Sequence, residues 1–165
     1  MTRFAETTEV PVARSRQEID RLLREWGCDG LAWADDFRAG EVCLRFIWSR
    51  DEARYLARIN LKLPTDEALR PKAMDRRTHR LSEPKLKKLQ DARGRREFRV
   101  LLLWLRAALN AVDTGIVTAE AVFLPFLEGQ DGRTVAEVAV PRMRLLLTGS
   151  AGALLDGEGM EVEGT

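Results

Sequence analysis

Apolar side chains recur at every second position in three runs between Leu31 and Leu63, a period that suits strands and not a helix. Leu31, Trp33 and Asp35 alternate with Ala32 and Ala34. After Arg38-Ala39-Gly40 the series continues with Val42, Leu44, Phe46 and Trp48, and after the polar turn Ser49 to Glu52 with Tyr55, Ala57, Ile59, Leu61 and Leu63. Pro64 closes it, since proline cannot extend the ladder of a central strand. The pattern predicts a three-stranded antiparallel meander with one apolar face. Arg54, Leu56, Arg58, Asn60 and Lys62 fall on the opposite face of the third strand, and Arg45 falls on the less apolar face of the second. Whether those two faces coincide depends on the register.

A sheet with one apolar face needs helices to cover it. Ser15-Arg16-Gln17-Glu18 has the form of a capping box, so a first helix is predicted to start there. It carries Ile19, Leu22, Leu23 and Trp26 toward the core and stops at Gly27. The long core helix is marked by Phe98, Leu101, Leu102, Leu105, Leu109 and Val112. Its polar stripe is Arg95, Arg99, Arg106, Asn110 and Asp113, and Thr114-Gly115 ends it.

Pro64 to Ser82 shows little periodicity and reads as a long loop. Ser82-Glu83-Pro84 then opens a basic helical segment, Lys85 to Arg93, which Gly94 is placed to interrupt. Ala119 to Leu127 fits helix or strand, and Thr134 to Leu147 fits a helix bent or restarted at Pro141. The expected architecture is α+β: an N-terminal helix, the meander, the long core helix and a smaller helical or mixed C-terminal part. Residues 1–150 form a single domain with a basic loop and helix inserted at 64–94, followed by a loosely ordered, acidic, glycine-rich tail at 151–165.

Charge is distributed unevenly. Arg70 to Arg99 holds twelve Lys/Arg and four acids, a net of +8 in a chain whose total is +1, so the remaining residues sum to −7. Such separation predicts an electropositive surface for a polyanion. If the core helix starts near Arg95, then Arg95, Arg96 and Arg99 sit at the positive end of its dipole, where a bound phosphate would offset their cost. If it runs unbroken from Pro84, they are mid-helix and that argument disappears.

Catalytic and cofactor signatures are few. His79 is the one histidine, which excludes a multi-histidine metal site, and it reads as a solvated loop residue. Asp35, Asp36, Glu41, Asp51 and Glu52 surround the first turns and raise the question of a metal. The lysine expected two residues after a nuclease glutamate is missing, because Cys43 stands there. Neither phosphate-cradling glycine pattern occurs. The expectation is no enzyme and no cofactor. Cys28 and Cys43 read as reduced, mostly buried thiols. The tryptophans fit core packing, although Trp33 or Trp48 on a sheet surface near Arg45 and Arg54 would make a stacking platform for bases.

Thr8-Glu9-Val10-Pro11-Val12 leading into Ser15-Arg16-Gln17-Glu18-Ile19, together with Asp131-Gly132-Arg133-Thr134-Val135, Glu137 and Pro141, resembles an uncharacterised family of small proteins carried by tailed bacteriophages and prophages. The end of the core helix, Ala108 to Ile116, fits the same pattern. The resemblance implies a phage-like origin and assigns no activity or site.

No apolar run is long enough for a membrane span, and Met1 to Val12 lacks the order of a signal peptide, so the expected location is the cytoplasm of a bacterial host. The leading expectation is a non-enzymatic accessory protein that binds DNA or RNA largely independently of sequence. The expected contacts are Arg76, Arg77, Arg80, Lys85, Lys87, Lys88, Arg95, Arg96 and Arg99, with Arg54 and Arg58 on the sheet. The alternatives are a phage protein that modulates a host protein, and a self-assembling homo-oligomer that pairs its −7 part with the +8 segment of a neighbour.

Overall fold

The computed structural model describes residues 8–36, 38–74 and 80–144. Strands β1 (Gly30–Asp36), β2 (Glu41–Arg50) and β3 (Ala53–Lys62) form one antiparallel sheet in the order β1-β2-β3. The predicted meander is therefore present. Asp51 and Glu52 close the second hairpin with positive φ at both positions, 47° and 63°. That two-residue geometry matches the twist of the strands and suits Asp at its first position but normally takes Gly at its second, so Glu52 is held in a costly conformation. In the first hairpin Asp36 Oδ1 accepts the backbone N–H groups of Arg38 and Ala39, both at 2.9 Å. Gly40 there has φ 64°, and a β-carbon on it would meet the Leu63 carbonyl oxygen at 2.9 Å, so only glycine fits.

Helix α1 (Val12–Trp26) and helix α3 (Glu83–Asp113) cover the apolar face of the sheet. α1 begins one turn earlier than the capping-box motif predicts. Pro11 precedes it without a side-chain cap, and Ser15 is fully buried with its hydroxyl unpaired among the described residues. The reason is packing: Val12 lies over Gly94, where a β-carbon would stand 3.5 Å from Val12 Cγ2. Gly27, at φ 98°, ends the helix as expected.

Gly94 does not interrupt α3. The helix runs 31 residues without a break, because tertiary contact with α1 outweighs the cost of one glycine. A β-carbon at 3.5 Å makes an ordinary contact, so Gly94→Ala is expected to stabilise the fold by about 0.5–1 kcal/mol, read as a rise in the urea midpoint with unchanged slope.

The segment from Pro64 to Ser82 is not a plain loop. Asp66–Ala73 forms helix α2, whose Leu69 and Ala73 pack with Leu86 and Leu89 of α3 in a small satellite core. Asp66 and Glu67 occupy its first turn, where the helix dipole favours carboxylates. Pro71 lies inside it. His79 and the tail at 151–165 lie outside the described residues.

Ala119 to Leu127 resolves into both of its readings. Ala119–Phe123 is helix α4, with Thr118 Oγ1 accepting the N–H of Ala121, and a 3-10 turn follows at Leu124–Phe126. Leu127 then pairs with Ala57, and the Glu128 N–H donates to the Leu56 carbonyl on the free edge of β3. A last helix spans 135–144 and continues through Pro141. Its start is a reciprocal capping box: the Thr134 N–H donates to Glu137 Oε2 at 2.8 Å, and the Glu137 N–H donates to Thr134 Oγ1 at 3.3 Å. The Thr134 amide holds the Glu137 carboxyl below its usual pKa, as do Arg58 and Arg133. A depressed carboxylate stabilises above its unfolded pKa, so this start loosens as pH falls through the folded value.

The core joins Ile19 and Leu23 of α1, Leu44, Phe46 and Trp48 of β2, Ala57 and Ile59 of β3, and Leu101, Leu102, Leu105 and Leu109 of α3. Phe123 completes it, its ring within 5.2–6.1 Å of Phe46, Trp48, Trp104 and Trp26.

Candidate nucleic-acid interface

At 100° per residue, Lys85, Lys88, Arg95, Arg99 and Arg106 lie within about 80° of one another on α3. They form a cationic stripe about 32 Å long, from the rise of 1.5 Å per residue. Its part from Arg95 to Arg106 flanks α1, and Lys85 and Lys88 extend it beyond the start of α1. Arg95 Nε donates to the Thr8 carbonyl oxygen at 3.2 Å, just before α1, and Arg99 reaches Glu18 of α1 at 3.3 Å. Arg106 approaches the same carboxylate at 3.8 Å, and Arg14 of α1 reaches it at 3.3 Å. One carboxylate thus organises three guanidiniums, which leaves a positive excess along the seam. Arg21, paired with Glu25 at 3.7 Å, extends the seam on the α1 side.

Of the described cations between Arg70 and Arg99, only Arg93 and Arg99 form ion pairs with described carboxylates. Lys85, Lys87 and Lys88 are exposed and have no ion-pair partner among the described residues. The charge split of the chain is therefore not neutralised within these contacts. An exposed cation with no partner gains little for the fold, and the favourable use of such a row is to meet an external anion.

The expected contacts do not all share this surface. By the same wheel Lys87 lies on another face of α3, Arg96 borders the stripe at about 20° from Lys85 with its Nε buried, and exposed Arg80 precedes the helix. Arg76 and Arg77 fall outside the described residues. Arg54 and Arg58 project from the sheet face away from α1 and α3, as the burial of Tyr55, Ala57 and Ile59 on the inner face requires. The register sets Arg45 directly opposite Arg58, so the outer cations of β2 and β3 do share a face. Both are engaged: Glu128, with a side chain only 10% exposed, lies 3.2 Å from Arg45 and 3.7 Å from Arg58, and Arg58 also bonds Glu137. These arginines tie the C-terminal segment to the sheet. Arg54, exposed opposite Ser49, has no ion pair among the described residues.

α3 is continuous from Glu83, so Arg95, Arg96 and Arg99 are mid-helix and the dipole argument for a phosphate does not apply. The tryptophan platform is also corrected. Trp33 packs on Phe98 and donates its Nε1–H to Asp20 at 2.8 Å, and Trp48 is 3% exposed among Trp26, Phe46 and Tyr55. Both face the core, opposite Arg45 and Arg54.

The hairpin acids have defined roles. Arg16, stacked 4.9 Å from the rings of Trp33 and Phe98, holds both oxygens of Asp35. Asp36 caps its turn, and Glu41 lies 3.8 Å from Lys62 across the strands. Among the described residues no group of three His, Cys, Asp or Glu side chains is arranged to hold a metal ion. Six acids, Asp35, Asp36, Glu41, Asp66, Glu67 and Asp91, and three cations, Arg16, Arg38 and Arg70, line a cleft of about 650 Å³ between the first hairpin, α2 and α3, and the acidic excess disfavours phosphate there. Cys28 and Cys43 are free, half-buried thiols, and burial raises the pKa of each.

Comparison with protein-family models, with curated proteins and with solved structures finds no match to this chain. The geometry of the seam alone carries the functional argument.

Proposed function

We propose that this chain is a non-enzymatic, phage-type accessory protein of the bacterial cytoplasm that binds nucleic acid along the α1–α3 seam, largely without regard to base sequence. The observation that supports this most is the stripe Lys85, Lys88, Arg95, Arg99 and Arg106, fixed on a rigid helix and flanked by Arg14 and Arg21. Its length of about 32 Å approaches one turn of B-form duplex, about 34 Å, so the stripe reaches phosphates on both sides of a groove. Trp26, on the α1 wall of the groove that also holds Arg106, is half-buried edge-on against Trp48 and Phe123, and point-like lysines contact phosphates without reading sequence.

Fluorescence anisotropy tests the proposal with two unrelated labelled duplexes of about 20 base pairs and one RNA duplex at low salt. Affinities for the two DNA sequences are expected to agree within about threefold. The absence of binding to any of the three contradicts the proposal.

Glu18 gives a second, oppositely signed test. It restrains Arg14, Arg99 and Arg106, and its side chain is 22% exposed. Glu18→Gln removes one negative charge from the seam and is expected to raise affinity by about three- to tenfold at low salt. Loss of these partly exposed pairs costs the fold no more than about 1 kcal/mol, which a thermal melt checks.

A further inference from the structure

We infer that the outward apolar face of α3 docks on the same face of a second copy of this chain, antiparallel and related by a two-fold axis. The C-terminal half of α3 is apolar nearly all round. Its inner side is spent on the core, yet Val100, Leu103 and Ala107 continue along the outer side, with Val100 38% exposed, Ala107 exposed and Leu103 half-buried. An apolar stripe on both sides of a helix is the pattern of a helix covered on both sides.

At 100° per residue Arg96, Val100, Leu103, Ala107, Ala111 and Thr114 fall within about 80° of one another, at spacings of three and four. That stripe is self-complementary when reversed. With Arg96 of one copy facing Thr114 of the other, Leu103 meets Ala107 and Val100 meets Ala111 beside Asn110, so each larger apolar side chain faces an alanine. Small residues let the two helices approach closely, and a groove of about 600 Å³ beside Leu103 and Ala107, walled by Leu22 and Trp26 of α1 and edged by Glu25, Arg106 and Asp113, leaves room for the facing side chains.

Charge selects the antiparallel direction. The last turn of α3 holds no basic residue and ends in Asp113, so its negative helix end lacks a cation of its own. Arg96 forms no ion pair among the described residues and is only partly buried. A reversed second copy brings Arg96 of each chain to the helix end of the other, and one two-fold operation satisfies both ends. A two-fold perpendicular to the helix pair also keeps both basic stripes on one face of the dimer, a consequence that alone rests on the nucleic-acid proposal.

Sedimentation velocity on the full chain, treated with nuclease and held at high salt, decides the matter without reference to nucleic acid. At about 100 μM the chain is expected to sediment with twice its own mass. Ala107→Glu is expected to yield monomer with unchanged far-UV circular dichroism. Val100→Glu, at a partly solvated position, serves if Ala107→Glu fails to fold. Arg96→Gln is expected to raise the dimer dissociation constant about tenfold. A wild-type monomer at that concentration, an open-ended assembly, or a dimer that persists in the folded glutamate variant overturns the inference.

Discussion

Replacing Lys85, Lys88, Arg95 and Arg106 together by glutamine will weaken duplex binding about a hundredfold or more at low salt. Arg95 and Arg106 border the α1–α3 seam, and Lys85 and Lys88 extend the same side of α3 beyond the start of α1. Lys85 and Lys88 are exposed and make no ion pair among the described residues, and Arg106 is half exposed at 3.8 Å from Glu18. Glutamine keeps the length and helix propensity of the side chains while removing four charges, so the thermal melt is expected to move little. Anisotropy titrations of the variant and wild type at the same salt provide the comparison. Arg54→Gln is the control: it removes an exposed cation from the far face of the sheet and is expected to leave affinity unchanged within about twofold. Equal losses in the control and the fourfold variant would mean that total charge, and not the seam, governs binding.

Phe123→Ala is expected to cost the fold about 3–5 kcal/mol, the range for removing a large aromatic from a well-packed core. Its ring is fully buried and lies 5.2 Å from Phe46, 5.6 Å from Trp48, 6.0 Å from Trp104 and 6.1 Å from Trp26. These neighbours belong to β2, α3 and α1, so the cavity opens where three elements meet and cannot collapse locally. Helix α4 has five residues, too few to persist without tertiary support. With native stabilities of roughly 5–15 kcal/mol, the variant is expected to be close to unfolding at physiological temperature. Urea titration followed by tryptophan fluorescence measures it. A loss below about 1 kcal/mol would show that α4 does not close the core.

The elements most legible in the sequence were those whose periodicity has one physical solution. Alternation between Leu31 and Leu63 admits only strands, and Phe98 to Val112 only a core helix. The remaining elements depended on contacts distant in sequence. Gly94 has the local signature of a break, yet it is where Val12 crosses α3. The capping-box pattern occurs at Ser15–Glu18, Ser49–Glu52 and Thr134–Glu137, and only the last is used as a cap, because Ser15 is buried and Ser49–Glu52 forms the β2–β3 turn. Helix α2 is short, contains Pro71 and offers only Leu69 and Ala73 as an apolar pair. Its acidic first turn after Thr65 was the available signal.

The interface was legible in the same uneven way. A dense basic run drew attention to Lys85, Lys88, Arg95 and Arg99, whereas Arg106 lies beyond the run and is linked to it only by helical spacing. Arg14 and Arg21 join through the packing of α1 on α3, which no local pattern encodes. Alternation correctly placed Arg54 and Arg58 on one side of a strand but carried no information about Glu128 and Glu137, which arrive from the far end of the chain.

The salt dependence of duplex binding tests the central claim most directly. Five stripe cations neutralising five phosphates predict that log Kobs falls against log salt with a slope of about −4.5, a loss of roughly 500-fold between 50 and 200 mM. The same slope is expected for unrelated sequences. A slope near zero, or no binding at the lowest salt, would contradict the account.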